Sequence, residues 1–344
     1  MPYEANAQPE RIALPFEGLV WINTDPRLPG GLLYLTSWSK AFRIYQYDPS
    51  TKQATDTKLQ PAGFYDNPEN IESVEVKAKS YDGTLVPLSI VFRKGIKLDG
   101  SNPTWLYGYG AYGRSDSPYF DPMDLAWFEN GGGVYAVCHV RGGGEYGEEW
   151  HLAGKMATKP NTWKDFIACA QYLIANKYTS PGHLAGQGVS AGGILIGRAI
   201  TERPDLFAAA IDSVGASDTL RFETTQNGET NIPEFGSTKT EEGFKALYAM
   251  SSYDHVEEKT AYPAILLETG MNDPRVAPWE MGKMAARLQA ATSSRRPVLL
   301  RVDFAGGHGM MGGTRQQVYE QLADEMSFFL WQLGVSDFQR RQLR

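Results

Sequence analysis

The sequence predicts an α/β protein built on a mostly parallel, doubly wound sheet, with a short β-rich extension ahead of it. Three observations carry that prediction. Over most of the chain, short apolar runs alternate with stretches whose apolar residues recur at helical spacing. The pentapeptide Gly188-Val189-Ser190-Ala191-Gly192 joins one such run to one such stretch. Two later runs each end in a polar, glycine-bearing segment, the first holding Asp273 and the second His308.

Residues 1–70 stand apart from the alternation. Leu32 to Trp38 and Phe42 to Asp48 are β-rich runs, the second ending in a Pro-Ser turn, and Pro61-Ala62-Gly63 marks a loop. Two or three strands cannot close a core by themselves. They are expected either to pack against the rest of the chain or to pair through free edges with another copy. A homodimer through residues 1–70 would cover apolar residues such as Leu33, Leu35, Ile44 and Tyr45.

The second domain is expected over residues 71–344. Val74 to Lys79 and Leu85 to Phe92 flank Asp82-Gly83 and read as a hairpin. Thr104 to Gly110 reads as a strand ending in a glycine-rich turn, and Val134 to Val140 as a buried strand that includes Cys138 and His139. Trp163 to Ile174 has helical spacing. His183 to Gly186 is a short strand-like run before the pentapeptide, and Gly193 to Arg203 a helix closed by Pro204, which cannot continue it. Phe207 to Asp212, Ala264 to Glu268 and Val298 to Val302 complete the strands. In such sheets functional groups gather outside the carboxyl ends of the strands.

Strand, Gly-x-Ser-x-Gly and helix in succession form the nucleophile elbow of the α/β-hydrolase fold, with Ser190 as the candidate nucleophile. A serine nucleophile needs a base, and the base an orienting acid. Asp273, just beyond the Ala264 strand, and His308, just beyond the Val298 strand, follow in the chain order that fold requires. The four other histidines fit less well. His139 falls within a strand, His151 and His183 precede the serine, and His255 follows an acidic loop with no strand before it. Asp303 is the rival acid, with Asp212 and Asp218 weaker ones. The Ala191 N–H is one expected oxyanion donor, and the Tyr107 to Gly113 turn offers a second, either an N–H or a tyrosine hydroxyl.

Six segments in order carry a family resemblance: Leu106 to Gly110, Arg141 to Gly147, the Gly188 to Gly193 elbow, Arg203 to Phe207, Asn272 to Val276 and Gly307 to Gly309. Together they resemble the catalytic domain of the prolyl oligopeptidase family of serine peptidases over about residues 71 to 335. The resemblance implies Ser190, Asp273 and His308 as the triad, Tyr109 as the side-chain oxyanion donor and Arg275 as a ligand for a substrate carbonyl. The Arg141 to Gly147 stretch lacks the Lys-Ser/Thr of a phosphate loop and reads as a structural turn. Residues 1–70 resemble the last strands of the family's β-propeller, which covers the active site and excludes folded proteins. They supply at most part of a blade, so an open site is expected. Proline-cleaving members stack the substrate proline on a tryptophan, but no Trp lies between Trp163 and Trp279 here. The matching stretch, Arg221 to Gly236, offers Phe222, Asn231, Ile232, Pro233 and Phe235, of which Phe222, Asn231 and Phe235 join Tyr112 as the candidate pocket residues.

Composition narrows the function classes. A net charge of −7 with no basic run disfavours nucleic acid as a partner. Neither a signal-peptide core nor a membrane-length apolar run is present, so a soluble, cytoplasmic protein is expected. The two cysteines, Cys138 and Cys169, are expected as buried thiols rather than a disulfide or a metal site, which points to the cytoplasm. Acyl transfer by a serine triad requires no cofactor. The leading expectation is a carboxylesterase for small or aromatic acyl esters with weak peptidase activity, since an alkoxide leaves more readily than an amine. The alternative is an oligopeptidase acting on short peptides. A non-catalytic binding module is the remote third, against which the intact triad argues.

Overall fold

In the computed structural model, residues 10–309, 311 and 313–339 are described. They fall into two compact units: the chain up to Ser73 with Ser117–Ala126, and Val74–Asp116 with the chain from Trp127 onward. The first holds a four-stranded antiparallel sheet of β1 (Leu19–Asn23), β2 (Gly31–Thr36), β3 (Arg43–Asp48) and β4 (Gln53–Asp56), paired in that order. The sequence suggested two or three strands. β4 reads Gln-Ala-Thr-Asp and carries no alternation to announce it. Side chains alternate along β2, so Leu33 and Leu35 share one face and both are buried. This corrects the expectation that they lie open for a partner copy. The large apolar side chains that are exposed include Trp21, Ile22, Leu28 and Phe64.

The second sheet has eight strands: β5 (Ile71–Lys79), β6 (Leu85–Arg93), β7 (Thr104–Tyr107), β8 (Val134–Cys138), β9 (Leu184–Val189), β10 (Ala209–Ser213), β11 (Ala264–Gly270) and β12 (Val298–Asp303). Their spatial order is β12-β11-β10-β9-β7-β8-β6-β5. All contacts from β8 through β12 are parallel, and β6 joins β8 antiparallel. This is the α/β-hydrolase arrangement. The strand order reverses at β7, which has β8 on one side and β9 on the other. A crevice therefore opens beyond the carboxyl ends of β7 and β9.

The helices, in chain order, are α1 (Leu125–Glu129), α2 (Glu148–Leu152), α3 (Pro160–Ala175), α4 (Gly192–Glu202), α5 (Thr219–Phe222), α6 (Ile232–Phe235), α7 (Glu241–Met250), α8 (Trp279–Ala291) and α9 (Arg315–Gln332). Ile194, Leu195, Ile196, Ala199 and Ile200 of α4 are almost wholly buried, so this helix is apolar around its girth. A helix of that kind belongs inside a core, and α4 packs against α3, β9 and β10. Arg141 is also buried. Its guanidinium hydrogen-bonds Asp165 at 2.9 and 2.7 Å and Asp82 at 2.6 Å, which pins the turn that follows β8.

Cys138 ends β8 and Cys169 lies on the buried side of α3, their Cα atoms 6.2 Å apart, and the two form a disulfide. The expectation of two free thiols is thereby corrected. It failed because the sequence did not indicate that these positions face each other across the strand–helix interface. The pairing also removes the ground on which the cysteines pointed to the cytoplasm. No helix among the described residues is long and apolar enough to cross a membrane.

Candidate active site

Ser190 leaves β9 at φ 58, a left-handed conformation that costs a non-glycine residue about 1 kcal/mol or more. Backbone bonds hold it there: Ser190 N–H donates to the Ser213 carbonyl of β10 at 2.9 Å, and the Ser190 carbonyl accepts from Gly193 at 2.8 Å. The flanking glycines make the turn sterically feasible. A Cβ on Gly188 would strike the Gly192 carbonyl, and one on Gly193 would strike the Gly215 backbone. The strained turn projects Oγ beyond the end of β9.

His308 meets that hydroxyl with Nε2 at 2.8 Å, and its Nδ1 lies 2.7 Å from Asp273 Oδ2. The Asp273 carboxylate can only accept, so Nδ1 carries the proton and Nε2 of the neutral ring is free to accept from Ser190. Asp273 Oδ1 accepts from the Arg275 and Val276 amides at 2.8 and 3.0 Å, which fixes the carboxylate plane. Asp273 and His308 are buried, whereas Ser190 is only partly so. Their two loops are tied together through Met271 N–H to Asp303 O at 2.8 Å and Asn272 N–H to Gly306 O at 3.0 Å.

The rival acids stand apart from His308. Asp303 Oδ1 accepts from the Ala305 and Gly306 amides at 2.9 Å and so shapes the loop that carries His308. Asp218 pairs with Lys283. Asp212 is buried against Gly193 and Gly215 under the elbow, where desolvation raises its carboxyl to about 7. His139 lies one residue past β8 rather than within it, and its Nε2 is 2.7 Å from Ser89 Oγ.

A cleft of about 390 Å³ opens beside Ser190 and Ala191, walled by Tyr109, Tyr112, Phe222, Asn231, Arg275 and Val276, with Asn227 and Thr230 at its rim. Ala191 caps α4, so its N–H has no partner within the helix. Tyr109 follows β7 and packs against Gly192, the residue after Ala191. Burial raises its phenol above the usual value and keeps it a neutral O–H donor, with the Arg114 guanidinium 5.1 Å from the ring centre. Arg275 lines this cleft and also a second one of about 480 Å³, which it shares with Asn272, Pro274 and Pro278.

Most of the sequence-derived pocket residues converge here. Phe235 does not reach the cleft. It is buried behind the wall, edge-on to Tyr112 at 5.5 Å, and about 5.9 Å from Phe222. Asn227, Thr230 and Val276 were not singled out from the sequence, although the first two lie within the Arg221–Gly236 stretch and the third is adjacent to Arg275. Chemically, the arrangement provides a hydroxyl beside a base, an acid orienting that base, and two donors across a cleft.

The family model for the "Prolyl oligopeptidase family" matches residues 118–336. A prolyl endopeptidase of Elizabethkingia meningoseptica is 39% identical over 293 residues, covering 85% of this chain and 41% of the relative. The dual function macrocyclase-peptidase POPB of Galerina marginata is 35% identical over 338 residues, covering 96% and 46%. A solved structure of prolyl oligopeptidase B from Galerina marginata, bound to a 35mer hydrolysis and macrocyclization substrate, superposes with a TM-score of 0.89 at 34% identity. It matches 95% of this chain and 46% of that one. The chain thus spans less than half the length of these relatives. With its elbow, its three linked side chains and these matches, the chain belongs to the prolyl oligopeptidase family of serine peptidases.

Proposed function

We propose that residues 71–344 form a serine peptidase domain that cleaves short peptides by acyl transfer through Ser190, and that residues 1–70 are an extension of propeller-type strands. The observation that carries this reading is the unbroken hydrogen-bonded chain from Ser190 through His308 to Asp273 at the mouth of a cleft. His308 Nε2 takes the Ser190 proton as Oγ bonds to the substrate carbonyl carbon, and the carbonyl π pair moves onto oxygen. The Tyr109 hydroxyl and Ala191 N–H donate to that oxyanion. Its collapse breaks the C–N bond, and the amine leaves with the proton from His308. Water then repeats the sequence on the acyl-enzyme, returning Ser190 to its hydroxyl form.

Peptide cleavage replaces the carboxylesterase as the leading reading. The matched relatives are peptidases by name, and none of those cited is an esterase. Arg275 also stands between two clefts, as suits a substrate that continues past the scissile residue. Esters remain substrates the same chemistry would cleave, as the easier reaction. Among the described residues no carboxylate lines the cleft beside Ser190, so it suits an uncharged residue, proline included, rather than Arg or Lys.

The test is turnover of chromogenic peptides ending in Pro, Ala or Arg, together with a p-nitrophenyl ester, by wild type and Ser190→Ala. Cleavage after Pro or Ala should exceed cleavage after Arg, and Ser190→Ala should lower kcat by about 10⁴-fold or more. Rapid ester cleavage with every peptide silent would restore the esterase. Absence of both, with no fluorophosphonate labelling of Ser190, would leave the binding module.

A further inference from the structure

Two buried polar side chains stand behind the turn that carries Tyr109, and neither belongs to the Ser190–His308–Asp273 chain. Lys159, fully buried at the start of α3, donates from Nζ to the Gly110 carbonyl at 2.5 Å and faces the Phe235 ring at 5.3 Å. Glu234 of α6 accepts from the Tyr112 amide at 2.8 Å with Oε1 and lies 2.8 Å from His151 Nε2 with Oε2. The Tyr112 hydroxyl donates to Asn231 Oδ1 at 2.7 Å. Tyr112 itself is left-handed, at φ 58, a strain that persists only where the surroundings hold it.

A buried lysine facing a neutral carbonyl and an aromatic ring needs a reason. A methionine would fill the same volume without desolvating a charge. Burial in fact drives the Lys159 amine down to about 8, with Glu234 opposing that shift. What the lysine provides and a hydrocarbon cannot is a donor to Gly110, the residue directly after Tyr109. Glu234 is likewise buried, and its bond to Tyr112 N–H restrains the same turn two residues further on.

We propose that Lys159 and Glu234 are positioning residues for the oxyanion site: they clamp the Tyr109–Tyr112 turn so that the Tyr109 hydroxyl meets the developing oxyanion. The inference rests on the reading of Tyr109 as an oxyanion donor.

A double-mutant cycle in the full chain tests it, with rates for a short peptide normalised to active-site titration. Tyr109→Phe should lower kcat by about 100-fold with little change in KM. Lys159→Met should lower kcat by about 10- to 100-fold, again with KM nearly constant. The double variant should be no slower than Tyr109→Phe alone, because the clamp acts only through that hydroxyl. Losses that multiply, or a Lys159→Met with wild-type kcat, would overturn the inference. If Tyr109→Phe itself keeps wild-type kcat, the oxyanion reading is the one that fails. Should Lys159→Met not fold, Glu234 supplies the same cycle. Glu234→Gln, which keeps an acceptor for Tyr112, should retain most of the rate, and Glu234→Ala should lose it and be masked by Tyr109→Phe. Equal rates for these two Glu234 variants would count against the clamp.

Discussion

At the scale of single residues, the decisive relation is between His308 and the acid that faces it. Asp273 spends one carboxylate oxygen on two backbone amides and the other on Nδ1, so it fixes both the tautomer and the plane of the imidazole. Replacing it by Asn would present an amide donor to Nδ1 and move the ring proton to Nε2, where it can no longer accept from Ser190. Asp273→Asn is expected to lower kcat by about 10⁴-fold while leaving the melting temperature nearly unchanged. Asp303→Asn should lose far less, because the Asp303 carboxylate accepts only from amides of its own loop. Steady-state kinetics of the two variants check the assignment, and a reversed order would transfer the role to Asp303. Sequence order and strand ends pointed to Asp273, but excluding Asp303 required the hydrogen bonds that each carboxylate makes.

At the scale of elements, what could be read from the sequence depended on periodicity. α3 and α4 stand within a few residues of where their apolar spacing places them, because both bury broad apolar faces. α9 gives a weaker signal. Two of its buried positions, Gln321 and Glu325, are polar and engage Gln187 and Glu268 beneath the sheet, which blurs the apolar period. β4, short and polar, gave none. The disulfide between β8 and α3 is a further element-level feature with no local signature. It closes a loop of 31 residues, for which chain entropy predicts a stabilisation of about 3 to 4 kcal/mol. Under oxidising conditions a Cys138→Ala/Cys169→Ala protein should unfold at lower urea than wild type by about that free energy. Equal midpoints would mean the bridge contributes nothing to stability.

At the scale of the whole molecule, the core holds several carboxyl groups that burial keeps protonated. Desolvation raises Asp212 to about 7 and Glu280 to about 8, and it raises Glu268, beside Glu325, well above the usual carboxyl range. Each of these groups keeps its proton in the folded state at pH values where the unfolded chain has lost it. The contribution of Asp212 and Glu280 to stability is therefore complete below the unfolded carboxyl value near 4, and declines as pH rises through about 7 for the first and about 8 for the second. Glu280 isolates the effect. Its Oε2 accepts from the Ser217 and Asp218 amides at 2.8 and 3.1 Å, while Oε1 has no partner among the described residues. Glu280→Gln keeps an acceptor and cannot ionise, so it should melt higher than wild type at pH 8.5 and about equally at pH 5. A gain of the same size at both pH values would refute the titration.

The sequence by itself determined the strand and helix order of the larger sheet, the elbow at Ser190, and the strand-end loops that hold Asp273 and His308. Each of these is encoded by near neighbours: apolar residues at spacings of two to four, glycines beside a strained turn, polar loops after buried runs. The tertiary structure decided the rest. It paired Cys138 with Cys169, set Phe235 behind the cleft wall, buried Leu33 and Leu35, and brought Glu234 to Tyr112 across 122 residues of chain. Those outcomes depend on which faces of distant elements meet when the sheet closes its core. Local periodicity indicates that a residue will be buried, whereas the packing of two separately encoded surfaces determines what it is buried against.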